Sequence, residues 1–411
     1  MRRIWIGLCI IFSYVLLFSA SSLYADELSE LKVQMKAMQK EMGKMQKKIE
    51  ALEIQAPQAA KEAEGKKYAI SKEVLEKFEL GGEIEIEFVD TQKDTSTGEA
   101  EPHFQLDKIR LEPELQITED IRFEADIDFD EDTADIDECY FMFQNLPSNS
   151  SLQIGKDDRF FKAEKYTERS PLAGTAFWKD EEWSLLLETE HEPFYAAFAW
   201  SQGLELDLKE VGEDDSSDVY EMIQDDTRKS SYNGIREVSL GLGLKKELGD
   251  FGEIDILGWG LYNQLSSADI SFLKSNLNSY TSDDDDQYRA GINLEYELGD
   301  FSLVAQYIDA QDGKLDRETW FIQPSCKVEL PFGWKYCNGH RLLARYGRLD
   351  VDNAKSFSTP AAWDREELTL AVITDIAENF KLKSEYTINE EDTGNGEVDN
   401  NELVMQLEYE F

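Results

Sequence analysis

From Glu79 to the C-terminus the chain alternates polar and apolar residues with a period of two, segment after segment. Glu83, Glu85 and Glu87 alternate with Ile84, Ile86 and Phe88. Lys108, Arg110, Glu112, Glu114 and Gln116 alternate with Ile109, Leu111, Pro113, Leu115 and Ile117. Arg122, Glu124, Asp126, Asp128 and Asp130 alternate with Phe123, Ala125, Ile127 and Phe129. In a strand, successive side chains point to opposite faces, so each segment has one wet face and one apolar face. The pattern places strands at 79–89, 104–117, 121–130, 134–146, 151–156, 183–190, 194–202, 235–248, 252–264, 287–298, 301–311, 317–330, 339–349, 364–374, 379–389 and 402–411. That is an even number, sixteen. Their connections alternate between short turns and loops of up to about 30 residues, the longest at 157–182 and 203–234. A soluble sandwich shares the alternation but does not segregate its loops in this way. A single-chain transmembrane barrel does.

Beyond residue 25 no apolar stretch approaches the ~18 residues a membrane helix needs. The first residues read as a secretory signal: Arg2 and Arg3, the apolar run Ile4–Phe18, then Ser21, Ser22 and Ala25, with cleavage expected after Ala25. Residues 26–54 carry an a/d heptad: Leu28, Leu31, Met35, Met38, Met42, Met45, Ile49 and Leu52, spaced 3,4,3,4,3,4,3. A self-associating helical coiled coil is expected there, and residues 55–78 read as a linker to the barrel at 79–411. The fold class expected is therefore an all-β membrane protein. It has a sixteen-stranded antiparallel barrel and an N-terminal α-helical coiled coil. The last strand, Glu402–Phe411, presents Leu403, Met405, Leu407, Tyr409 and Phe411 on one face, with the two aromatic residues suited to an interfacial girdle.

The 42 basic residues face 86 acidic ones, a formal net charge of −44. Such a balance repels nucleic acid. Aromatics at 11% argue for a folded chain, although high charge with low hydropathy is also the mark of disorder. Cys139, Cys326 and Cys337 remain after the signal, an odd number. Cys326 and Cys337 are spaced to bridge the base of a hairpin, and the other reading is three half-buried thiols. The three histidines, His103, His191 and His340, stand apart, and no G-x-S-x-G, H-E-x-x-H, Gly-rich phosphate loop or C-x-x-C-H is present. No enzyme and no cofactor are expected. Glu391, Asn395, Asp399 and Glu402 fall in a loose match to a calcium loop, flanked by strands rather than helices. Asp283–Asp286 forms a second acidic run.

One stretch is more specific. Leu152-Gln153-Ile154-Gly155-Lys156 is followed by Phe160-Phe161-Lys162-Ala163-Glu164, then Thr167-Glu168-Arg169-Ser170-Pro171-Leu172 and Ala176-Phe177. These residues resemble the fifth-strand and third-loop region of the phosphate-selective porin O and P family, some of which carry an N-terminal periplasmic coiled coil. The resemblance implies a homotrimeric outer-membrane porin whose third loop folds inward as a constriction. Its basic residues here are Arg159, Lys162, Lys165 and Arg169. A barrel of this kind is expected to contact outer-membrane lipid and lipopolysaccharide, and the coiled coil offers a contact with peptidoglycan or another periplasmic component. The function expected is passive diffusion of ions and small hydrophilic solutes. The alternatives are a tether to the cell wall or a sheath for a partner protein.

The pore-facing residues depart from an anion-selective pattern. Glu83, Glu85, Glu87, Glu112, Glu124, Asp126, Asp128 and Asp130 crowd the first three strands, with Lys108 and Arg110 among them. A carboxylate ring attracts cations and repels phosphate. Arg289, Arg341, Arg345, Lys381 and Lys383 lie on later strands, so the expected pore has an acidic wall facing a basic one.

Overall fold

The computed structural model describes residues 77–91, 102–129, 133–177, 181–209, 222–227, 237–329, 339–352, 359–377, 379–392 and 401–411. The expected signal, coiled coil and most of the linker lie outside them, as do Asp130, Cys337, Asn395 and Asp399. Five strands lead to the long third loop: β1 (Phe78–Thr91), β2 (His103–Thr118), β3 (Ile121–Phe129), β4 (Ala134–Leu146) and β5 (Ser150–Asp157). Within that loop lies one helical turn, α1 (Leu172–Phe177). Then come β6 (Glu182–His191), β7 (Phe194–Ser201), β8 (Leu204–Lys209), β9 (Met222–Thr227), β10 (Glu237–Glu247) and β11 (Glu253–Gln264). After α2 (Ser267–Asn276) the chain forms β12 (Asp286–Leu298), β13 (Phe301–Asp312), β14 (Leu315–Val328), β15 (Gly339–Val351), β16 (Asp364–Ala377), β17 (Phe380–Asp392) and β18 (Glu402–Glu410).

Sixteen of these strands close into one antiparallel barrel, and β8 and β9 pair apart from it as a hairpin. Closure joins β1 to β18 in register from Glu83–Glu410 to Thr91–Glu402. Phe411 finishes the seam: its N–H donates to Gly82 O at 2.9 Å and its carbonyl accepts from Gly82 N at 3.2 Å. A closed sheet leaves no edge of unpaired backbone groups, which is the condition for a sheet to lie in hydrocarbon.

The outer surface follows from the alternation. Leu240, Leu242, Ile292, Ile322, Met405 and Leu407 are exposed at mid-strand. At the short-turn end stand Phe78, Phe194, Phe251, Phe301, Phe380 and Phe411, with Phe251 exposed to 75%. At the opposite end stand Phe104, Phe129, Trp183, Trp200, Tyr262 and Tyr288. An aliphatic band between two aromatic belts matches a bilayer core between two interfaces.

Two segments that the alternation alone leaves as loops carry their own structure. The hairpin β8–β9 was open to detection, because Leu204, Leu206 and Leu208 alternate with Glu205 and Asp207. Helix α2 begins on a capping box, with Ser266 and Asp269 each accepting the other's backbone N–H. Buried Asp269 also accepts from Leu206 N at 3.1 Å, tying this helix to the hairpin. Among the described residues Cys139 and Cys326 are free thiols.

Candidate functional site: the inward loop and the open wall

The loop after β5 touches the barrel strand by strand. Arg159 ion-pairs with Glu182 of β6 at 2.9 Å and with Glu237 of β10 at 2.7 Å. The Phe161 ring stacks on Trp259 of β11, centroids 4.0 Å apart and planes 9° apart. Trp259 lies flat because residue 291 is glycine, where a Cβ would stand 2.4 Å from its ring. The Phe161 carbonyl accepts from Asn293 of β12 at 2.8 Å and from Gln306 of β13 at 3.0 Å. Arg345 of β15 donates to Thr167 Oγ1 at 2.6 Å and to Arg169 O at 2.7 Å. Arg169 then reaches Glu367 of β16 at 3.1 Å, Asn389 of β17 at 3.2 Å and Glu402 of β18 at 2.8 Å. One short segment meets most strands of a closed ring only from the inside. The loop therefore lies within the barrel, along the wall from β10 to β18.

The return of the loop packs the same half. Phe177 lies beneath the guanidinium groups of Arg317 (4.6 Å) and Arg289 (5.2 Å), and both arginines pair with buried Asp312. Arg317 also donates to Ala176 O at 3.1 Å and to Ile223 O of the inner hairpin at 2.6 Å. Leu172, Ala173, Met222, Ile223, Leu273 and Leu277 join wall residues such as Leu261, Val304 and Ile308 in one apolar cluster. The inner face from β11 to β15 is thus covered by a packed core.

The inferred pore residues divide accordingly. Arg289 and Arg345 face inward as their register requires, but the loop covers them, and each is exposed to 1%. Arg159 and Arg169 belong to the loop as expected, yet point into the wall as anchors and not into the opening. Arg341 sits against the Tyr166 ring at 4.3 Å and donates to Ser302 and Ser325. Lys381 is held by Glu408 and Glu410, and Lys383 by Glu408 (2.9 Å), Glu168 (3.2 Å) and Glu85 (3.6 Å). The expected basic wall is therefore corrected: its cations serve to fasten the loop or to pair with neighbouring acids. The described ends of the loose calcium-loop match are likewise engaged, Glu391 by Arg365 at 3.1 Å and Glu402 by Arg169.

The wall of β1 to β4 keeps part of its charge open to the lumen, but Glu85 and Glu87, expected to line the pore, are buried, exposed to 2% and 1%. Arg110 is shared by Glu83, Asp126, Asp128 and Asp137, and Lys108 bridges Glu83 (3.0 Å) and Glu85 (3.2 Å). Glu124 accepts from Tyr140 and pairs with Arg122, and Glu112 is exposed at the short-turn rim. The loop also presents Lys162, paired with Asp158 at 2.5 Å and 3.9 Å from Glu181, and Lys165, which stands 3.9 Å from Glu168.

Two inward acids were hidden from the alternation. The β1–β2 register shifts between Glu85 and Ile86, so both Asp107 and Lys108 turn inward. The β3–β4 register shifts between Asp126 and Ile127, which turns Asp137 inward as well. A bulge puts two residues opposite one and so breaks the period. The signal in the sequence is a pair of adjacent charges, Asp107-Lys108 and Asp137-Glu138, inside otherwise alternating strands.

Outside the strands, two loop carboxyls are displaced in opposite directions. Burial works against Glu168 ionising, but Lys165, Lys383 and Lys108 outweigh it and hold its carboxyl down at about 2. Burial together with a hydrogen bond to Asp137 pushes Glu181 up to about 9.

No family model matches the chain, and no curated protein matches it. Solved structures do. The outer membrane channel DcaP of Acinetobacter baumannii superposes with a TM-score of 0.56 at 11% identity, over 81% of this chain and 97% of that one. OprB of Pseudomonas putida gives 0.58 at 8%, over 82% and 96%. The anion-selective porin from Comamonas acidovorans gives 0.52 at 9%, over 81% and 99%. The fold is that of a sixteen-stranded outer-membrane channel. At these identities the likeness is one of fold, and it is shared with a channel of anionic preference, so the sign of selectivity has to come from this chain's own residues.

Proposed function

We propose that this chain is an outer-membrane porin for passive diffusion of ions and small hydrophilic solutes, with a preference for cations. The observation that carries the reading is the division of the interior. The loop between β5 and β6 packs one side, and its arginines are consumed by buried carboxylates. The part left open is lined by Glu83, Asp126, Asp128 and Asp137, with Arg110 shared among the four and Lys108 bridging Glu83 to the buried Glu85. A wet, low-dielectric-walled passage of one sign concentrates counter-ions.

The resemblance of residues 151–189 to phosphate-selective porins concerns the fifth strand and the inward loop, and here that loop borders an acidic passage. Phosphate selectivity is therefore not part of the proposal. An interior partly filled by the chain's own core also weighs against a sheath for a partner protein. A homotrimer, outer-membrane lipid and lipopolysaccharide against the aromatic belts, and a periplasmic coiled coil at 26–54 touching the cell wall complete the proposal. The test is the reversal potential of single channels of the full chain in a planar bilayer under a salt gradient.

A further inference from the structure

At the barrel seam, where β1, β2 and β18 meet the inward loop, oxygen atoms gather without enough hydrogens to satisfy them. Ligating oxygens of Glu85, Asp107 and Glu168 all lie within 4.8 Å of one another. Those of Glu83, Glu85 and Glu408 form a second such group that shares Glu85. Three further facts point to a missing partner. Gln406 is exposed to 0%; its amide nitrogen donates to Asp107 Oδ2 at 3.4 Å, and its Oε1 has no hydrogen-bond partner. Glu87, directly across the ladder from Gln406, is exposed to 1%; one oxygen accepts from Gln105, and Oε2 has no partner. Glu85 Oε2 accepts no hydrogen bond, although Lys108 Nζ stands 3.2 Å away.

We propose that Glu85, Glu87, Asp107, Glu168 and Gln406 form a binding site for one hard divalent cation of the calcium class, joining the wall to the inward loop. The donor set is all oxygen, carboxylate and amide carbonyl, which is what such an ion takes. Oxygens on opposite sides of a calcium ion lie about 4.6–5.2 Å apart, twice the usual bond of about 2.3–2.6 Å. The observed clustering fits that span. Buried acceptors without donors are rare and costly, and a cation satisfies several at once. Lys108 and Lys383 flank the group and offset part of its charge, and they leave Glu87 Oε2 and Gln406 Oε1 without a hydrogen-bond donor. The bulge at Asp107 is what brings the fourth carboxylate in, so the break in alternation gains a purpose.

The site stands on wall and loop geometry and not on permeation, so its test reads binding. Full-length folded protein in detergent is titrated with calcium chloride by calorimetry, alongside Asp107→Asn, Gln406→Leu and a variant with Asp283, Asp284, Asp285 and Asp286 all changed to Asn. One calcium per chain is expected, with affinity at least about 10-fold weaker in Asp107→Asn and in Gln406→Leu and unchanged in the loop variant. Folding of each variant is checked by heat-modifiable migration, and Gln406→Leu, which removes no charge, stands if Asp107→Asn misfolds. No calcium bound by the folded native chain, or binding lost only in the loop variant, overturns the site and leaves the channel reading intact. Binding that survives both site variants overturns it equally.

Discussion

Arg169 Nη1 stands 2.8 Å from Glu402 Oε1, although 233 residues separate them and one belongs to the third loop and the other to the last strand. The pair pins the loop across the barrel to its closing seam. Arg169 also meets Glu367 and Asn389, so a single guanidinium holds three strands.

Arg169→Ala is expected to free the loop. It leaves Glu367 and Glu402 buried with one fewer cation, which costs about 3–5 kcal/mol. The expected outcome is a lower denaturant midpoint together with larger and noisier single-channel steps. Arg169→Lys should recover only part, because a point ammonium cannot reach three acceptors at once. Native-like conductance in the alanine variant would show that the loop is held elsewhere.

Arg110→Ala is expected to raise cation preference. Arg110 is the shared partner of Glu83, Asp126, Asp128 and Asp137, and removing it exposes their charge to the lumen. The reversal potential should move further in the cation direction than in the native channel. A shift toward anions would mean that this wall does not border the conducting path.

Acid should loosen the loop late. The carboxyl of Glu168 is held down at about 2, against an ordinary 4.5. A lowered value means the ionised form is the one favoured in the fold. Its contribution is fully present above about pH 4.5 and is lost as pH falls through about 2. Channel steps are expected to stay steady down to about pH 4 and to become unsteady between pH 4 and 2. Unsteadiness already at pH 6 would contradict the pairing of Glu168 with Lys383, Lys165 and Lys108.

The barrel itself was legible because alternation, loop segregation and strand number all follow from one period. All sixteen barrel strands lie within three residues of the expected bounds at each end. Which inward residues meet water was not legible. The register that turns Arg289 and Arg345 inward says nothing of a loop lying over them. The hairpin β8–β9 and helix α2 sit inside stretches whose length and acidity read as surface loop. Asp107 and Asp137 escaped because a strict two-residue period assigns them outward, and only the bulges reverse that.

In the proposed channel the open wall, and not the buried arginines, sets the selectivity. The most direct measurement is the single-channel reversal potential of the full chain in a planar bilayer with a tenfold potassium chloride gradient at pH 7. Large steps with a cation-leaning potential are the result expected. An anion-leaning potential, or no steps from folded protein, would contradict a cation-preferring pore.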